Sequence, residues 1–157
     1  MIKIIKLKKG RQTIIDSKDW NKVKHLHWLY GIGNVYVGAN IGGRKNHKQI
    51  LLHRFIMDTP KGFHTDHING DRLDNRRENL RICTPNQNQF NSRKWKNKSS
   101  KLKGVCWYKR DKCWRAYVNK NIQQFHLGYF QSEKDAGKAY NKKAKELFGE
   151  YFCPNTF

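Results

Sequence analysis

Apolar positions in the first fifty residues come in short runs, which predict small strands and one short helix. Ile2, Ile4 and Leu7, followed by residues 13–15, outline an opening hairpin. Asp16 and Ser17 stand where caps would start a short helix through Trp20, Val23 and His25. Leu29 and Tyr30, then residues 35–41, predict two strands joined by a tight turn over 31–34, whose glycines suit it. A second turn follows at 42–47. Residues 50–52 lead into an apolar segment at 55–57, closed by Pro60 and Gly62. Trp20, Trp28 and Tyr36 are the residues expected to fill this small core.

The pattern changes after residue 62. Residues 63–91 are dense in Asn and polar residues, with few apolar positions. Residues 92–103 hold six basic residues, no acidic one and three Ser, the composition of a linker. This segment is either a solvated tether or a basic arm in which Arg93, Lys94 and Lys96 follow a phosphate backbone. From residue 104 the chain becomes regular. Residues 104–109, 113–119 and 122–127 are strand-length runs separated by turns at 110–112 and 120–121, which predicts an antiparallel meander. Alternation places Val105, Trp107, Trp114, Ala116, Val118, Phe125 and Leu127 on one face. Cys106, Tyr108, Arg115, Tyr117, Asn119, Gln124 and His126 fall on the other. Residues 132–135 resemble a capping box, apolar residues recur at helical spacing from Ala136 to Phe148, and Gly149 is a stop. This helix should cover the apolar face of the sheet and leave the basic, aromatic face open.

Composition sets the class of partner. The chain has 157 residues, room for one ordinary domain or two very small ones. It carries 33 Lys and Arg against 12 Asp and Glu, a net charge of +21. The excess is spread along the chain, at +9, +5 and +7 for residues 1–50, 51–100 and 101–157. Such self-repulsion argues against an enzyme for small neutral metabolites and calls for a polyanion, nucleic acid first and an anionic membrane surface second. Aromatic residues, 13% of the chain, argue for a folded protein. No apolar run approaches the roughly 18 residues of a membrane span, and the basic start does not resemble a signal peptide. The expected location is the cytoplasm. The cysteines at 83, 106, 113 and 153 form no CxxC pair, so free thiols are expected and zinc is not.

One stretch carries chemistry. It runs from His64 through Asp66, His67, Asn69, Gly70, Asp71, Asp74, Asn75, Glu78 and Asn79 to Arg81, and continues with Asn86, Asn88 and Asn91. Hydrolysis of a phosphodiester needs a base that takes a proton from water near neutral pH, and an imidazole is suited. It also needs a hard divalent cation on oxygen ligands, with Mg2+ or Mn2+ the expected ion. His67, Asp66 and Asn88 supply these parts, and Asn79 can hold the imidazole in its working orientation. The spacing fits a strand presenting Asp66 and His67, a turn-rich loop over 69–75, a return strand at 81–83, and a helix capped by Thr84. Asn69, Gly70 and Asp71 suit the turn, and Asp74 and Glu78 suit holding the loop.

These residues resemble an HNH endonuclease of the kind with an Asp-His pair, an Asn-Leu-Arg segment and a helix rich in Asn and Gln. The resemblance implies His67 as general base, Asp66 and Asn88 as metal ligands and Asn79 as the residue that orients the base. Asn86 or Asn91 could take the place of Asn88. His53, in an upstream segment similar to one in that family, is expected to be structural or to contact backbone. Residues 103–149 resemble an AP2 DNA-binding domain, whose sheet lies in the major groove. That implies Tyr108, Arg110, Arg115, Tyr117, Asn119, Gln124 and His126 as DNA contacts, although Cys106 stands where an arginine is usual. The pairing is typical of phage and intron-associated endonucleases, including homing endonucleases.

The resulting expectation is an α+β protein with three parts. Residues 1–91 hold a mixed N-terminal region and a ββα-metal nuclease motif at about 63–91, residues 92–103 a linker, and residues 104–157 an AP2-like domain. It would nick double-stranded DNA as a monomer with no obligate protein partner. The competing readings are a DNA-binding regulator with a vestigial nuclease fold and an RNA-binding protein.

Overall fold

In a computed structural model of the protein, residues 1–32, 35–43, 48–91 and 99–157 are described. The chain is a mixed α+β protein of several small antiparallel sheets and few helices. It divides into two compact units, Met1–Asn88 and Gln89–Phe157. Among the described residues no helix is long and apolar enough to cross a membrane.

The first unit opens with the expected hairpin, β1 (Ile2–Lys6) paired with β2 (Gln12–Asp16). A single helical turn at Ser17–Asp19 and α1 (Trp20–Val23) follow. Neither Asp16 nor Ser17 makes a side-chain cap there. Asp16 instead accepts a hydrogen bond from the Arg77 backbone N–H at 2.8 Å, so its carboxylate joins distant segments. β3 (Leu29–Ile32), β4 (Tyr36–Ile41) and β5 (Lys48–Leu51) form a three-stranded sheet with β4 in the middle. The turns expected at 31–34 and 42–47 lie partly outside the described residues. α2 (Leu52–Met57) continues directly from β5. Ile15, Val23, Trp28, Val37, Ala39, Leu52 and Ile56 form the apolar core, with Trp20 partly buried against it. Tyr36, expected in this core, packs instead on the rings of His53 and His67.

Then come β6 (His64–His67) and β7 (Leu80–Cys83), a two-stranded hairpin, and α3 (Pro85–Phe90). The loop between β6 and β7 is sewn to β2. Ile14 donates its N–H to Leu73 O at 3.0 Å and accepts from Asn75 N–H at 2.9 Å, a parallel bridge between Ile14 and Asp74. The opening hairpin is therefore a wall of the loop beside His67.

The second unit holds β8 (Val105–Tyr108), β9 (Cys113–Lys120) and β10 (Gln123–Phe130) in an antiparallel meander with β9 central, followed by α4 (Glu133–Phe148). Ala136, Tyr140, Ala144 and Phe148 face Val105, Ala116 and Val118, burying one side of the sheet as the alternation predicts. Gly104 is required where it stands. Its φ is +69°, and a Cβ there would lie 2.0 Å from the Tyr140 ring and 2.4 Å from Tyr117 O. Ser132 precedes the helix in extended conformation but makes no side-chain cap.

Candidate active site

β6 and β7 pair in register, with His64 opposite Cys83, Asp66 opposite Arg81 and His67 opposite Leu80. Asp66 and His67 are 8% and 4% exposed. A buried carboxylate needs compensation, and Arg81 supplies it: its Nε and Nη2 donate to Asp66 Oδ2 at 3.0 and 2.7 Å. The pair also neutralises an arginine inside a strongly basic chain.

The His67 imidazole is enclosed by side chains from three other segments. Its Nε2 lies 3.2 Å from Asn75 Oδ1, in a buried contact. The His53 ring from α2 meets it edge-on at 4.9 Å between centroids, and Tyr36 from β4 stacks at 6.3 Å. Burial pushes the His67 pKa below the ordinary 6.5, against the contact with Asn75 and the charge of Asp66, which raise it. His53 is lowered further, to about 3, first by burial and then by the charges of His67 and Arg54. Both rings are thus neutral near pH 7, and His67 is able to accept a proton.

Side chains also fix the loop that follows β6. Asn69 Oδ1 accepts from Asp71 N–H at 2.8 Å, Asp71 Oδ1 accepts from Leu73 N–H at 2.9 Å, and Gly70 has φ +72°. Arg76 donates to both oxygens of Asp74 at 2.8 Å and holds that carboxyl below its usual range. Asn79 is bound into this same loop. Its Oδ1 accepts from Asn69 N–H at 3.0 Å and its Nδ2 donates to Asp74 O at 2.8 Å.

On the helix side, Thr84 and Gln87 form a reciprocal cap: Gln87 N–H donates to Thr84 Oγ1 at 3.3 Å and Thr84 N–H to Gln87 Oε1 at 2.8 Å. With Pro85 as first helical residue, this start directs Asn88 toward β6, where its Nδ2 lies 3.1 Å from His64 Nδ1. His64 stands two residues before Asp66 and so on the same side of the strand. Asn86 is exposed, and Asn91 lies just past the helix end.

A second surface lies on the far side of the C-terminal sheet from α4. Arg115 lies over the rings of Tyr117 and Tyr108 at 5.4 and 6.0 Å, and Arg110 lies over Tyr108 at 5.3 Å. Gln124 Nε2 donates to Asn119 Oδ1 at 3.0 Å. The register of β9 and β10 shifts between His126 and Gly128, so a bulge moves Tyr129 opposite Arg115, with its ring 4.9 Å from His126 and 5.3 Å from Tyr108.

A family profile described as HNH endonuclease matches residues 58–90, which span β6, β7, the loop between them and α3. Over 153 residues, 94% of the chain, the protein is 33% identical to an uncharacterized HNH endonuclease of Acanthamoeba polyphaga mimivirus, covering 76% of that relative. The chain belongs to the HNH endonuclease family. It is accordingly a DNA endonuclease. It is also similar to Protein 3.8 of Escherichia phage T7, at 38% identity over 43% of this chain and 56% of that one. A putative HNH homing endonuclease from the SPbeta prophage of Bacillus subtilis (strain 168) shares 34% identity over 57% of this chain and 46% of its own. The chain thus spans about half the length of these last two relatives. No solved structure matches it significantly.

Within this HNH endonuclease, Asp66 and His67 share one strand and Asn88 reaches the same strand through His64. The amide at the His67 ring is that of Asn75 and not Asn79, because Asn79 is held by the Asn69 and Asp74 backbone. His53, Asn75 and Tyr129 stand beside these groups, and from sequence none of the three carries an expected catalytic or DNA-contacting role. His53 lies in the upstream segment that resembles one in the family, Asn75 lies in the polar stretch with no spacing that marks it, and Tyr129 lies beyond the bulge that exchanges the faces of β10. Arg93, Lys94 and Lys96 lie outside the described residues.

Proposed function

We propose that the chain is a sequence-directed endonuclease that hydrolyses phosphodiester bonds of double-stranded DNA with the help of a divalent cation, Mg2+ or Mn2+. Among the described residues no three His, Cys, Asp or Glu side chains converge on one point. A hard cation here therefore draws on amide as well as carboxylate oxygen, which the pair Asp66 and Asn88 offers. Asn88, with its Nδ2 3.1 Å from His64 Nδ1, brings an amide to the strand that carries Asp66. Arg81 orients the Asp66 carboxylate through two hydrogen bonds to Oδ2. A cation bound there would neutralise charge developing on the phosphate and the leaving oxygen.

His67 takes the proton from the attacking water, and His53 and Tyr36 keep solvent from the back of its ring. The observation that carries this reading is a buried, neutral imidazole directly beside an ion-paired carboxylate. The C-terminal sheet acts as an AP2-like reader: Tyr108, Arg110, Arg115, Tyr117, Asn119, Gln124 and His126, now with Tyr129, face the major groove. Support comes from the cation–aromatic array on the side away from α4. Arg93, Lys94 and Lys96, in the basic segment at 92–103, sit on phosphates, while residues 99–103 of that segment are part of the second unit, with Leu102 packed on its core. One proposed base per chain favours nicking by a monomer, in the manner of a homing endonuclease.

Incubation of purified protein with plasmid and Mg2+, beside an EDTA control, tests the reading. His67→Ala should abolish cleavage and leave DNA affinity within a few fold. Cleavage by that variant at the wild-type rate would refute the base assignment, and DNA retarded but never cut by wild type would favour a regulator.

A further inference from the structure

A chain of buried polar groups runs from the opening hairpin to the His67 ring. Thr13, on β2, is 0% exposed, as is Asn75. Thr13 Oγ1 donates to Leu73 O at 2.6 Å. With its proton committed there, the hydroxyl accepts from Asn75 Nδ2, which lies 2.8 Å away. The same Nδ2 donates to Arg72 O at 3.2 Å. A carbonyl oxygen can only accept, so these contacts leave Asn75 one orientation. Its Oδ1 faces His67 Nε2, and an amide oxygen also only accepts. The Nε2 position therefore carries the hydrogen, and the lone pair of the neutral ring sits on Nδ1.

We infer that Thr13 and Asn75 are positioning residues that set the tautomer of His67, so that Nδ1 is the nitrogen presented to the reaction. The hairpin of β1 and β2 is then part of the catalytic apparatus, although Thr13 precedes Asn75 by 62 residues. The backbone bridge of Ile14 to Leu73 and Asn75 holds the two segments in the register that the hydroxyl needs. The inference rests on the reading of His67 as base for its catalytic meaning, but the tautomer is measurable without it.

The first test uses the full-length wild-type chain labelled with nitrogen-15 histidine, at about pH 8, where the imidazole is neutral. Long-range proton–nitrogen correlation should show His67 with its hydrogen on Nε2. A hydrogen on Nδ1, or shifts averaged between the two forms as in free imidazole, would overturn the inference. The second test is Thr13→Val, which keeps the shape and removes the hydroxyl. The rate constant for plasmid nicking should fall about tenfold to hundredfold, with half-saturating DNA concentration changed by less than about twofold. Thr13→Ser should recover activity to within about threefold of wild type. Nicking by Thr13→Val at the wild-type rate, or Thr13→Ser as impaired as the valine variant, would count against the relay. If Thr13→Val fails to fold, the wild-type tautomer still decides. Loss of cleavage in His67→Ala together with full activity in Thr13→Val would remove this inference alone, whereas an active His67→Ala would remove the base.

Discussion

A solvent-exposed histidine is half protonated near pH 6.5, and a base in that state works at half strength. His67 is buried, and its pKa is shifted below that value. The acid limb of the cleavage rate against pH should therefore have its midpoint under 6.5, measured at constant ionic strength and saturating cation. A midpoint at or above about 7 would contradict a buried His67 imidazole shifted downward. His53 gives a stability prediction of defined sign. Its folded pKa, about 3, lies below the unfolded 6.5, so the unfolded chain binds a proton that the folded chain does not. The stabilisation is complete above pH 6.5 and is lost as pH falls toward 3, at about 1.4 kcal/mol per unit. His67, shifted the same way, adds to the slope. Urea unfolding at pH 6.5 and pH 5 should differ by about 2 kcal/mol from His53, and His53→Gln should flatten the difference. An unchanged slope in that variant would place the sensitivity elsewhere.

Two elements depend on one or two residues each. The start of α3 is set by Thr84 and Gln87, and that start aims Asn88 at β6. Thr84→Ala should cost about 1 kcal/mol in chemical denaturation and weaken cleavage at limiting Mg2+ before it weakens it at saturation. In the C-terminal unit, Gly104 sits where the chain enters β8, with Tyr117 N–H donating to its carbonyl at 2.8 Å. Gly104→Ala would combine a positive φ with contact against Tyr140 and Tyr117 O. A loss above about 2 kcal/mol is expected, seen as a lower thermal midpoint together with reduced DNA retention. The bulge in β10 shows the limit of reading an element by alternation. Leu127 is the inserted residue, and beyond it the strand's faces exchange, which brings Tyr129 beside Tyr108, Arg115 and His126.

At the scale of the whole molecule the charge of +21 governs how the chain meets DNA. Affinity for duplex DNA should fall by more than about a hundredfold between 50 and 200 mM salt, because each neutralised phosphate releases counterions. Arg115→Gln combined with Tyr129→Ala should raise the DNA concentration needed for half-maximal nicking and relax site choice, with the maximal rate kept. A fall in maximal rate with unchanged site choice would place recognition outside that sheet. The middle third of the chain has the lowest net charge, +5, and it holds Asp66, Asp71, Asp74 and Glu78. Three of them have local basic partners: Arg76 binds Asp74 and Glu78, and Arg81 binds Asp66. The acids therefore shape the site while the surplus cations elsewhere remain for the polyanion.

Local pattern alone determined the opening hairpin, the strand carrying Asp66 and His67, the Thr84 helix start, and the side of the C-terminal sheet that α4 covers. Each of these follows from side-chain periodicity or from hydrogen bonds within a few residues, and a sequence displays both. Tertiary packing decided the rest. Asn75 and Asn79 carry the same amide, and no spacing rule tells which one touches the imidazole. The choice was made by β2, whose Thr13 and Ile14 grip the loop from 60 residues away. Tyr36 and His53 reached the same ring because β4 and α2 pack beside β6. Such contacts form between segments that are strangers in sequence, so their identities lie in no local pattern and appear only when the chain is folded.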